Sequence, residues 1–114
     1  MPLDRKAILD FDKGLTMVGS REFYMELLQD YLTSAADLIV AAEAAINAKD
    51  DDDLLLRAHG LKGISASLAM EVMRKIAEEL EQCARNSQRD RYSELLMELR
   101  KNFSLVTMEI NTLL

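Results

Sequence analysis

Four stretches of the chain place apolar residues alternately four and three positions apart, and this spacing constrains the fold more than any other feature. It draws one stripe along an α-helix, whereas a strand would scatter the same residues over both faces. The first stripe is Tyr24, Leu28, Tyr31, Ala35, Leu38, Ala42 and Ala45, with Ser20 suited to cap its start, so one long helix ending near Lys49 is expected. The second, Leu54, Ala58, Leu61, Ser65 and Leu68, opens after the aspartates Asp50 to Asp53. The third runs through Met73, Ile76, Leu80 and Cys83 and stops near Asn86-Ser87-Gln88, a cluster of polar turn-formers. The fourth is Tyr92, Leu95, Leu99, Phe103, Val106, Ile110 and Leu113. Pro2 to Asp12 can form a short helix ahead of them, with Gly14 and Gly19 bracketing a connecting loop.

No Gly or Pro separates the second stripe from the third, and length decides between one helix and two. A single helix from Asp51 to Asn86 would run to about 54 Å, beyond what the other segments could cover. A tight turn near Ala69 and Met70 is therefore expected. The fold class that follows is all-α: an antiparallel four-helix bundle with a short additional N-terminal helix. With 114 residues and no repeat or linker, one domain spanning 1–114 is expected, and Met1 with the completed last stripe reads as a separate protein.

Rare residues narrow the chemistry. One His and one Cys cannot assemble a zinc site of the Cys/His kind within one chain, and one Cys excludes a disulfide framework. A net charge of −6 argues against nucleic acid. No apolar run reaches the roughly 20 residues of a membrane span, and no signal peptide is visible. These features read as a cytoplasmic domain with no membrane, nucleic-acid, metal or cofactor requirement of its own. The aspartate run lacks the spacing and central Gly of a calcium loop and is read as helix capping. Cys83 and the seven Met residues are read as core.

The single histidine remains to be explained. At about 100° per residue the second stripe falls within about 40° of one direction, while His59 lies about 140° from it. It therefore faces away from the core. Around it at helical spacing stand Gly60, Gly63, Ala66 and Ser67, a surface nearly stripped of side chains. Each mid-helix Gly costs about 1 kcal/mol relative to Ala, which points to close approach of another molecule. Leu55 and Leu56 also fall outside the core sector and read as an exposed apolar pair fit for docking. Lys62, three residues on and about 60° round the helix, can bring its ammonium to a group attached to the imidazole. A neutral imidazole has a lone pair for nucleophilic attack, and a nearby cation stabilises phosphoryl oxygens.

Ala58-His59-Gly60-Leu61-Lys62-Gly63-Ile64-Ser65-Ala66-Ser67-Leu68 resembles the central motif of histidine-containing phosphotransfer (HPt) domains, written loosely as A-H-x-L-K-G-x-S-x-x-L-G. Phe11 to Leu32 resembles the family's opening pattern, and Leu80-Glu81 with Ala84-Arg85-Asn86 is similar to its third-helix ending. Ala69 stands where the family usually has Gly, and Gly60 where it often has a polar residue.

The resemblance implies that His59 is the phosphoacceptor, through the ring nitrogen distal to the backbone, and that Lys62 steadies the phosphate. It implies that Gly63 leaves room for an incoming receiver domain and that Ser65 faces the bundle interior. The partners implied are receiver domains of response regulators and hybrid sensor kinases, docking over Leu55, Leu56, Gly60, Gly63 and Ala66 and supplying their own Mg²⁺. A monomer is expected. No nucleotide-binding loop is present, so the phosphoryl group must come from another protein. Two readings compete: a helical scaffold that docks receivers without phosphotransfer, and an independent enzyme using His59. The latter is disfavoured because the exposed sector offers no positioned carboxylate, Ser or Cys beside the imidazole. A chemotaxis-type kinase's phosphoacceptor domain has a similar His motif, but such a kinase needs far more chain.

Overall fold

The computed structural model describes residues 4–114. Two short helices, α1 (Arg5–Ile8) and α2 (Phe11–Val18), precede four longer ones: α3 (Arg21–Asn47), α4 (Asp51–Ser67), α5 (Glu71–Arg85) and α6 (Tyr92–Leu113). A 3₁₀ turn, Arg89–Arg91, leads into α6. The long helices pack in a ring, α3 on α4, α4 on α5, α5 on α6 and α6 on α3. Short connections make sequential neighbours antiparallel, so this is the four-helix bundle that the stripes imply. No described helix is long and apolar enough to cross a membrane.

The stripes are buried as expected except at three positions: Phe103 and Leu113 of α6 are half-buried against the core, and one position of α3 is exchanged. Tyr24, Leu28, Tyr31 and Ala35 are buried, but the next core residue of α3 is Ile39, while Leu38 is half-buried. Only that one position is exchanged, because Ala42 and Ala45 are buried again as the stripe predicts, and Leu38 turns towards Gly60 of α4. Ser65 is fully buried and shares a 2.9 Å hydrogen bond with the Tyr31 hydroxyl, so its polar atom is satisfied inside the core. Cys83 is buried, and burial raises its thiol pKa.

The N-terminal region departs from expectation. The helix expected over Pro2 to Asp12 is interrupted at Leu9 and Asp10, with Pro2 and Leu3 outside the described residues. Asp10 caps α2 through its carboxylate, which accepts from Lys13 N at 3.1 Å, and its own N–H donates to Ala69 O at 3.0 Å. Gly14 is not in a loop. It lies within α2, where a Cβ would overlap the Tyr24 ring, whose hydroxyl donates to Leu68 O at 2.9 Å. Only Gly19 is a turn residue, in the left-handed conformation at φ 85° after α2.

Three connections share one solution that Gly and Pro do not mark. Residues 48–50, 68–70 and 86–88 each join two helical elements, and the middle residue of each has positive φ: Lys49 (56°), Ala69 (64°) and Ser87 (53°). In each the following N–H donates to a carbonyl five residues back: Asp50 to Ala45 at 2.9 Å, Met70 to Ser65 at 3.0 Å and Gln88 to Cys83 at 2.9 Å. This is the Schellman closure, which satisfies the last carbonyls of a helix and is usually built on Gly. Ala69 thus keeps the turn expected near Ala69 and Met70 in place of the family's Gly. Its Cβ costs about 1–2 kcal/mol in this conformation.

Candidate functional site

Helix α4 carries the site, and its sequence explains its setting. Leu54, Ala58, Leu61 and Ser65 bury one face, leaving His59 on the far side with a side chain 66 % exposed. Asp50 caps the helix through an acceptance from Asp53 N at 3.0 Å, and Asp51 is engaged by Arg89, Ser87 and Tyr92. Asp53 pairs with Arg57 at 3.2 Å. The aspartate run therefore anchors the start of the helix.

The surroundings of His59 match the expectation at some positions and differ at others. Leu56 is 62 % exposed, Ala66 and Gly63 are exposed, and a Cβ on Gly63 would meet nothing within 4 Å. Leu55, expected to be exposed, is half-buried and packs against the core. Gly60 lies on the α3 side, where a Cβ would sit 3.6 Å from Leu38, an ordinary contact. The stripped surface thus centres on Gly63 and Ala66, with Leu56 one turn before the histidine.

One residue missing from the expected site proves central. Glu81 of α5 is buried, 4 % exposed, and its two carboxylate oxygens are taken by His59 and Lys62 of α4. Oε2 lies 2.5 Å from His59 Nδ1, and Oε1 accepts from Lys62 Nζ at 2.6 Å. Burial pushes the Glu81 pKa up, but the hydrogen bonds from Lys62 and His59 and the charge of Lys62 outweigh it, leaving it below the usual range. Glu81 is therefore a carboxylate at neutral pH. An ionised carboxylate only accepts, so Nδ1 must carry the ring proton, and the lone pair of the neutral imidazole is on Nε2.

This geometry corrects one expectation and adds a contact to another residue. His59 does have a positioned carboxylate, supplied from the neighbouring helix. Lys62, expected to reach a group attached to the imidazole, has its ammonium held on Glu81, and its side chain is only 28 % exposed. A signal for Glu81 was present in the spacing: Ala77, Glu81 and Ala84 form a second four-three row beside the Met73, Ile76, Leu80 and Cys83 stripe. Both flanking alanines are buried, so a residue between them faces a helix neighbour.

The open groove at the site is lined by Asp52, Leu55, Leu56, His59, Glu81 and Arg85. None of these is a Ser, Thr or Cys that the imidazole could activate, so a nucleophilic triad is not assembled there. Among the described residues, no cluster of three or more His, Cys, Asp or Glu is arranged to hold a metal ion. The chemistry the groove supports is that of the imidazole itself: an accessible Nε2 with its partner nitrogen fixed.

Comparison with known proteins bears on the family and the fold. The chain is 26 % identical over 98 residues to the phosphorelay intermediate protein rdeA of Dictyostelium discoideum. The match covers 86 % of this chain and 37 % of that protein, so the chain spans little more than a third of the relative's length. Its fold is similar to the crystal structure of the HPT domain of an Hpt sensor hybrid histidine kinase from Shewanella, with a TM-score of 0.75 and 23 % identity, covering 96 % of this chain and 97 % of that one. The sequence model of the Hpt domain family matches residues 26–109, which include α4 and α5 whole and therefore His59, Lys62 and Glu81. The chain belongs to the Hpt domain family.

Proposed function

We propose that the chain is a phosphorelay intermediate that accepts a phosphoryl group on His59 Nε2 from a receiver domain's phospho-aspartate and passes it reversibly to another receiver. The observation that carries this reading is the exposed imidazole whose Nδ1 is engaged by buried Glu81, because it presents a nucleophilic nitrogen of fixed tautomer to a partner. The Nε2 lone pair attacks phosphorus, the phosphorus–oxygen bond to the donor aspartate breaks, and the aspartate leaves as a carboxylate. The reverse step returns the electron pair to Nε2 as a second aspartate attacks. Lys62 would turn from Glu81 to the phosphoryl oxygens as their charge arrives beside the ring.

The receiver supplies Mg²⁺, and docking uses the apolar, cleared strip of Leu55, Leu56, Gly63 and Ala66, with Gly60 at its α3 margin. A monomeric, cytoplasmic protein fits this role. The test mixes the protein with receivers phosphorylated by a small-molecule donor and follows labelled phosphate. Acid-labile, alkali-stable label should appear on wild type and be absent from His59→Gln. Receivers that bind wild type without labelling it would replace this reading with a docking scaffold.

A further inference from the structure

We infer that Glu81 keeps the Nδ1 proton in place after His59 is phosphorylated, so that the phosphoryl group is carried on a cationic ring paired with a buried carboxylate. This inference rests on His59 being the phosphoacceptor and concerns what the site does once loaded. Attack by Nε2 uses the lone pair and leaves a ring with Nε2 bonded to phosphorus and Nδ1 bonded to hydrogen, which carries a positive charge. In open water such a ring can become neutral by releasing the Nδ1 proton. Here that proton lies in the 2.5 Å contact between Nδ1 and Glu81 Oε2. Releasing it would set a bare ring nitrogen against a carboxylate that is 4 % exposed, two acceptors with no donor between them.

Lys62 reinforces the effect. In the unphosphorylated site its ammonium satisfies the other oxygen of Glu81. If Lys62 turns to the phosphoryl group, the carboxylate loses that donor and the Nδ1–H becomes its remaining partner. The other charged groups lining the groove are Asp52 on α4 and Arg85 on α5, and among the described residues the imidazole's hydrogen-bond partner is Glu81. The α3 side chain facing the adjacent turn of α4 is Leu38, which does not titrate.

The consequence is chemical. When the phosphorus–nitrogen bond breaks, its electron pair returns to Nε2 of a ring that already holds the Nδ1 proton, so a neutral imidazole leaves. No proton need be taken up from solvent beforehand. The site therefore stays an active phosphoryl donor as pH rises, where a ring that had lost its proton would have to leave as an anion.

The experiment loads the protein directly from phosphoramidate, independently of any receiver, with ¹⁵N-labelled histidine. It follows the Nδ1 resonance and the phosphohistidine decay rate from mildly acidic to mildly alkaline pH in wild type and Glu81→Gln. Wild type should hold the protonated Nδ1 signature to higher pH than the variant. The decay rate of the variant should begin to fall at lower pH, by roughly tenfold per pH unit, as the protonated fraction does. Lys62→Met, which retains Glu81 and His59, should change the rate but keep the wild-type pH profile. Coincident profiles for wild type and Glu81→Gln, or a wild-type Nδ1 that is unprotonated at neutral pH, would overturn the inference alone. Absence of label on His59 would overturn the phosphoacceptor reading and this inference with it. Should Glu81→Gln fail to fold, the wild-type Nδ1 signature still decides.

Discussion

Two carboxylates tie α4 to the helices beside it, and they do different work. Asp51, at the first turn of α4, receives the Arg89 guanidinium at 2.8 Å, the Tyr92 hydroxyl at 2.9 Å and the Ser87 hydroxyl at 3.1 Å. Glu81, near the end of α5, receives Lys62 and contacts His59. Both are held below their ordinary pKa, because each has more donors than burial can offset. The donors of Asp51 are a guanidinium, which offers no nucleophilic lone pair, and two hydroxyls that already donate to the carboxylate, so that cluster is a clasp. One partner of Glu81 is a ring whose second nitrogen is exposed, so the same kind of cluster becomes a site. What distinguishes a site from a clasp here is a partner with a second reactive atom pointing outwards.

The comparison can be broken most sharply at that atom. His59→Gln should abolish acid-labile labelling by phosphorylated receivers. Because the change disturbs one hydrogen bond to the buried Glu81 carboxylate, folding stability should fall by about 1–3 kcal/mol with the fold retained; thermal melts and a labelling assay on one preparation check both. Lys62→Ala should slow transfer on the order of tenfold, the loss of about 1.4 kcal/mol from a charged contact to the phosphoryl group. Unchanged transfer kinetics would remove Lys62 from the mechanism.

At the other carboxylate the pattern should reverse. Asp51→Asn should lower the thermal midpoint and leave transfer rates unaltered. A matching acid titration gives the sign. Hydrogen bonding from Arg89, ahead of the opposing effect of burial and the lesser bonds from Tyr92 and Ser87, holds Asp51 at about 2, against an ordinary 3.8. A depressed carboxylate stabilises the fold above its ordinary pKa, and that contribution is lost as pH falls through its folded value. Wild-type stability should therefore drop between about pH 4 and pH 2, and Asp51→Asn should lose less over that interval. Equal acid sensitivity would show that the clasp is not what titrates.

The smallest effect is expected at the turn joining the two helices that bear these carboxylates. Ala69→Gly relieves a left-handed residue and should stabilise the protein by about 1 kcal/mol, read by denaturant unfolding. A destabilised variant would mean that the buried Ala69 side chain contributes more by packing than it costs in backbone strain.

Much of the fold was legible because helical periodicity is a local property. Stripes of apolar residues at three and four name the helices and their inward faces, and the angle between His59 and the Leu54 to Leu68 stripe already sends the imidazole outwards. The N-terminal region was less legible. Gly14 reads as a turn residue until Tyr24, ten positions away, is seen to lie against it. In α3 the buried position passed from Leu38 to Ile39 for one turn only, because Leu38 packs against Gly60 of α4, a contact its own helix does not announce. The three αL turns at Lys49, Ala69 and Ser87 carry no Gly to announce them; the hydrogen bonds that close each helix end hold those residues in a conformation their own preferences oppose.

By itself, then, the sequence determined which residues form helices, which face of each turns inward, and that one imidazole stands exposed beside Lys62 on a stripped surface. These follow from spacing along a single helix. Only the tertiary structure decided what that imidazole touches. Glu81 lies 22 positions from His59, on a different helix, and its carboxylate meets Nδ1 only because the turn at Ala69 brings α5 back along α4. The tautomer of His59, the occupation of Lys62 and the proton balance of the site all depend on that one carboxylate reaching across from α5, and the periodicity of one helix does not say which residues of the next will meet it.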